Sequence, residues 1–214
     1  MFRNTFSSFS SISILVIWIF HISGLLGIIF GDTKWFISAT PLNLIISLVL
    51  LLMNSTDSNK TIMIACIAFI VGMFTEILGV NCGLIFGSYI YGEVLGPKFL
   101  GVPILIGYNW AMVLITTASI AQKVSQNFYL RIFIGIMLML FLDLLMEQVA
   151  PILDFWIFDS GTAPIQNYLG WASISLVLHY IYHKLKIKLN NNFSNHLYFV
   201  QILFFLLLLV NFKY

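Results

Sequence analysis

The sequence predicts an all-α fold, a polytopic membrane bundle of about seven transmembrane helices. Three observations carry this. Hydrophobic residues make up 60% of the 214 residues and charged residues 8%, with a mean hydropathy of +1.00. A water-soluble domain of that size would have too little polar surface to cover itself. Apolar runs of about twenty residues, the length that crosses a hydrocarbon core, recur along the whole chain and are separated by short polar punctuation. No internal repeat, low-complexity linker or soluble domain interrupts them, so residues 1–214 read as a single integral membrane domain. The net charge of +2 is small and dispersed, with no basic cluster interleaved with aromatics, which excludes a nucleic-acid partner. Cys66 and Cys82 lie sixteen residues apart on one predicted helix, ~24 Å at the helical rise, and cannot pair with each other.

Taken in order, a short polar start containing Arg3 precedes the apolar run Ile12 to Phe30. That run is too long for a signal-peptide core and has no small-residue cleavage site after it, so it is expected to be a retained first span. Further spans are expected at 36–53, 61–80, 103–121, 131–150, 165–183 and 196–213. Asn54 to Lys60 and Lys184 to Asn195 are the clearest loops. Arg3, Lys60, Lys123, Arg131, Lys184, Lys186 and Lys188 fall on one face of this arrangement, and Lys34, Lys98 and Lys213 on the other. The bias puts the N-terminus in the cytoplasm of a bacterial inner membrane. The loop after the third span and the loop Pro151 to Pro164 then share the outer face.

Residues 76–110, EILGVNCGLIFGSYIYGEVLGPKFLGVPILIGYNW, organise the rest. Glycine lets backbone approach backbone or ligand closely, and such a run between apolar segments marks a shaped site. Counting the helical rise from the inner ends of their spans, Glu76 sits ~22 Å up, Asp143 ~18 Å and Glu147 ~24 Å, so the three carboxyls share one layer. Asn109 and Asn43 reach a similar depth. Asp143 and Glu147 are four apart and share a helix face. None of the three has a cationic partner in its own span, so they must share a proton or face a polar cavity. Glu147 lies nearest the outer end and is expected to be partly solvated. Tyr89, Tyr91, Tyr108, Trp110, Phe155, Trp156, Tyr168 and Trp171 fall in or beside the outer connections. Half of these fit an interfacial aromatic belt; the others suit ring faces that stabilise a developing cation in a dry pocket.

Other chemistries find little support. His179 and His183 have i,i+4 spacing but stand beside Lys184 at the predicted cytoplasmic end of a span, where an interfacial polar cap is the simpler reading. The His-rich boxes of membrane desaturases are missing, as are a P-loop, a nucleophile elbow and a dinucleotide fingerprint. The reading calls for no metal and no cofactor.

Glu76-Ile-Leu-Gly79, Gly83-Leu-Ile-Phe-Gly87-Ser-Tyr89-Ile-Tyr91-Gly92, Leu95-Gly96-Pro97-Lys98, Gly101-Val-Pro103, Trp110, Asp143-Leu-Leu-Met-Glu147, Trp156 and Pro164-Ile-Gln-Asn167-Tyr-Leu-Gly170-Trp171 together resemble the membrane carotenoid biosynthesis proteins, a family that includes carotenoid 1,2-hydratases of the bacterioruberin and γ-carotene type. The resemblance covers about residues 61 to 183. Gln148 and Phe158 stand where that family usually has proline and a second tryptophan. The resemblance implies addition of water across the C1=C2 double bond of an acyclic carotenoid end group of lycopene or γ-carotene type, giving a tertiary alcohol. That chemistry needs a buried carboxylic acid able to protonate an unactivated alkene. Glu76 or Asp143 is the expected acid, and the remaining carboxylate orients or deprotonates water. Tyr89, Tyr91, Trp110, Trp156 and Trp171 would stabilise the cation or line the polyene slot, and Asn109 and Asn167 would hold the water. Membrane lipid is the other expected partner, and the oligomeric state is not legible. A lycopene-cyclase-like enzyme and a proton-coupled transporter remain the alternatives.

Overall fold

A computed structural model describes residues 2–187, 189 and 191–213. Lys188, counted among the cationic loop residues, lies outside the described residues. Helices form at each of the seven expected places: α1 (Phe2–Phe30), a short α2 (Thr33–Ser38) running into α3 (Thr40–Met53), α4 (Ser58–Cys82), α5 (Ile104–Val124), α6 (Phe128–Val149), α7 (Ile165–Lys184) and α8 (Asn191–Lys213). The span expected at 36–53 is broken after Ser38. Asp32 caps α2 by accepting from the Trp35 amide, and Pro41 in the first turn of α3 restarts the helix, where a missing N–H costs nothing. α8 begins at Asn191, five residues earlier than expected, because polar Asn and Ser residues are tolerated in a first turn.

Among the described residues, six helices are long and apolar enough to cross a membrane, and the chain is accordingly an integral membrane protein. α7 is long enough, at ~30 Å for its 20 residues, but less apolar. Its Asn167, Ser175, His179 and His183 are buried, directed into the bundle and away from lipid. Large apolar side chains such as Phe30, Ile70, Phe74 and Leu169 are instead exposed on the outside, the inverse of a water-soluble surface.

α5 is the hub, packed against α3, α4, α6, α7 and α8. α1 lies to one side, on α2, α3 and α8. Over one end of the bundle the two connections expected to share a face meet in a small lid. Strand β1 (Tyr89–Tyr91) pairs antiparallel with a later strand, β4 (Trp156–Phe158), in the register Tyr89 with Phe158 and Tyr91 with Trp156. Between them in sequence, β2 (Lys98–Phe99) and β3 (Val102–Pro103) form a second short hairpin. The alternation of β1 turns Tyr89 and Tyr91 inward and Ile90 outward.

His179 and His183, read from the sequence as an interfacial polar cap, are turned into the bundle. Both are buried; His179 Nδ1 meets the Ser175 carbonyl at 2.9 Å, and its Nε2 meets the Thr117 hydroxyl at 3.2 Å. Gly135 on α6 makes this possible, since any side chain there would collide with the imidazole ring.

Candidate active site

Beneath the lid, Glu76, Tyr89, Tyr91, Asn109, Trp110, Glu147, Trp156, Asn167 and Trp171 line one cavity together with Phe86, Ile106 and Phe158. Its free volume is about 20 Å³, room for about one water molecule. Nine of the ten residues given a catalytic or substrate-binding role from the sequence therefore line one cavity, and the tenth, Asp143, shares the Asn167 amide with Glu147.

Glu76 on α4 accepts three hydrogen bonds. The Tyr89 hydroxyl donates to Oε2 in a very short contact, Tyr91 donates to the same oxygen at 2.7 Å, and Trp110 Nε1 donates to Oε1 at 2.9 Å. Burial, reinforced by the adjacent Glu76 carboxyl, pushes both phenols well above the usual tyrosine value, so they act as neutral donors. Two glycines on α4 allow this approach. An ideal Cβ at Gly72, one turn before Glu76, would lie 2.5 Å from the Trp110 ring, and one at Gly79 would lie 2.7 Å from the Tyr89 hydroxyl. Both glycines lie on the helix face that carries Glu76.

Across the cavity, Asn167 on α7 donates from one amide nitrogen to Asp143 Oδ2 at 3.1 Å and to Glu147 Oε1 at 3.2 Å. Trp156 Nε1 donates to Glu147 Oε2 at 2.9 Å. Asp143 Oδ1 is buried without a hydrogen-bond partner among the described residues. Asp143 is fully buried and Glu147 is 8% exposed, which corrects the expectation that Glu147 is partly solvated: the lid strand carrying Trp156 covers it.

The rings are arranged as walls. Trp110 and Trp171 stack with centroids 4.0 Å apart and planes 15° apart, and Tyr91 meets Trp156 edge-on at 6.0 Å. Phe86 and Phe158 also face the cavity; neither was given a site role from the sequence, although Phe158 stands where the family usually has a second tryptophan. Phe158 is two residues beyond Trp156 and shares its strand face, a period-2 signal that a loop reading of this segment hides. Asp154 and Asp159 lie in the outer connection; Asp154 accepts from the Glu93 amide at 3.0 Å and so ties the two lid segments together.

A carboxyl that accepts from three donors, a pair of carboxyls sharing one amide, a one-water cavity and electron-rich walls supply the groups that acid–base addition of water to an alkene requires.

Residues 37–213 match the family model described as carotenoid biosynthesis protein, well beyond the 61–183 core legible in the motifs. Bisanhydrobacterioruberin hydratase of Haloarcula japonica is 28% identical over 118 residues, 48% of this chain and 39% of that protein. The match thus spans about two fifths of the relative's own length. No solved structure matches the chain.

Proposed function

This chain belongs to the carotenoid biosynthesis protein family, and from that premise we propose that it is a carotenoid hydratase, adding water across the C1=C2 bond of an acyclic carotenoid end group. The observation that carries the proposal is the one-water cavity with carboxyls on opposite sides, Glu76 and the Asp143/Glu147 pair.

The two sides divide the work. Asp143 and Glu147 accept from the same Asn167 amide nitrogen in a dry layer, and two adjacent anions there repel, so the pair holds one proton between them. Glu147, which faces the cavity, passes that proton to C2 of the alkene, and the π electrons form the new C–H bond, leaving the cation at C1. Trp110, Trp171, Trp156 and the two tyrosines are the electron-rich rings that line the cavity around it. A water oxygen then bonds to C1 and loses its proton to Glu76, whose three donors suit an acceptor carboxylate. Return of that proton to the pair closes the cycle. Asn109, on the cavity wall, and Asn167 orient the water. No step requires a cofactor.

A cyclase uses the same protonation but captures the cation with a second alkene, and space for a water beside a carboxylate base favours hydration over it. The test is expression in a lycopene-accumulating bacterial host with pigment analysis by mass. The proposal expects products heavier by one or two waters; an unchanged mass with shifted absorption indicates cyclisation and overturns it.

A further inference from the structure

Three cavities follow one another through the bundle. The outermost, about 230 Å³, lies among α1, α2, α3 and α8 and is lined by Ile19, Gly24, Trp35, Phe36, Asn43 and Phe204, among others. It is larger than the ~150 Å³ apolar cavity that holds a benzene ring. A narrower one of about 60 Å³ shares Thr40, Asn43 and Phe204 with it. That middle cavity in turn shares Ile106, Asn109 and Trp156 with the carboxyl cavity. Each joint is a common wall.

The mouth of the series opens on the apolar outside of the bundle. Ile19, Trp35 and Leu42 line it and are 52%, 61% and 53% exposed, on helices long and apolar enough to cross a membrane. A molecule entering here comes sideways from lipid. The bore is mostly apolar, and of the polar groups on it Asn43 Oδ1 and Gln201 Oε1 are buried and have no hydrogen-bond partner among the described residues; Gln201 is 5% exposed on the wall of the middle cavity. Unpartnered acceptors are costly in an apolar bore, and a hydroxyl passing them satisfies them.

Resting on the hydratase reading, we propose that this series is the substrate corridor: a linear isoprenoid polyene threads from the lipid between α1, α3 and α8, end group first, to Glu147 and Glu76. The bore widens outward, so the long unsaturated tail lies in the outer cavity while the terminal alkene reaches through the middle cavity to the wall it shares with the carboxyl cavity, which holds the water. The alcohol product backs out past Gln201 and Asn43, whose free carbonyl oxygens accept from its new hydroxyl.

Gly24 offers a plug. An ideal Cβ there lies 3.7 Å from the Phe204 ring, ordinary van der Waals contact, so Gly24→Ala fits, whereas Gly24→Trp fills the outer cavity. Ser23→Phe is a second plug from the same wall. The readout is lycopene retained per protein after purification in detergent from a lycopene-accumulating host, with membrane insertion and helical content matched. Wild type and Gly24→Ala are expected to retain pigment, and the two plugged variants to lose at least tenfold. Retention by both plugged variants, equal loss by Gly24→Ala, or no pigment on wild type would each overturn the corridor. Gly24-dependent retention without any hydrated product upholds the corridor and sinks the hydratase reading instead.

Discussion

Glu76 and Glu147 face each other across the same small cavity, so isosteric amide replacements test them on equal terms. Glu76→Gln and Glu147→Gln are each expected to lose at least the ~10²-fold typical of general acid–base catalysis, with the protein still inserted. The sequence alone suggested a partly solvated Glu147, because helical rise puts its Cα nearest the outer end; rise says nothing of a lid strand that covers it. Asp143→Asn keeps a partner for Asn167 but ends proton sharing, and hydration is expected to fall with a changed pH profile. Tyr89→Phe removes one donor to the carboxylate, an interaction of roughly 1.5–3 kcal/mol, and the expected rate loss is on the order of 10- to 100-fold. Full activity in both glutamine variants would move the chemistry elsewhere.

The elements that aim these side chains were unevenly legible. Apolar length located every long helix, and the depth of Glu76, Asp143 and Glu147 followed from it. The pairing of β1 with β4 was not legible, because a three-residue strand whose partner lies some seventy positions away has no local signature beyond the Tyr-Ile-Tyr alternation. Topology did put both connections on one face, which is the condition for that pairing. The glycine-rich stretch signalled close approach, but Gly72 lies before it and its contact with Trp110 emerges only from the packing of α4 on α5. Gly79→Ala is expected to push Tyr89 off Glu76 and lower turnover on the order of 10²-fold, the scale of an ångström-sized misplacement, while α4 stays helical and inserted. Circular dichroism and turnover at matched protein level check this; unchanged turnover would mean that Tyr89 reaches Glu76 without the gap.

For the whole molecule, the inverted surface follows from composition, since lipid accepts the apolar exterior and polar groups gather inside, whereas the α5 hub emerges only from the packing. The cavity series was not legible, because Asn43 was placed by depth alone and Gln201 and Phe204 lie in a span with no other signal. Orientation remains a prediction of the cationic bias: reporters fused after Asn54 and Gln126 should read cytoplasmic, and those after Lys98 and Ser160 external. A cytoplasmic signal at Lys98 would turn the carboxyl layer to the other leaflet.

Hydration by acid and base means that the oxygen in the product comes from water. With the protein incubated with lycopene in heavy-oxygen water under ordinary oxygen gas, and in the reciprocal experiment, the label is expected in the tertiary alcohol only in the first case. Label arriving from oxygen gas would make the reaction a hydroxylation and contradict the roles given to Glu76, Asp143 and Glu147.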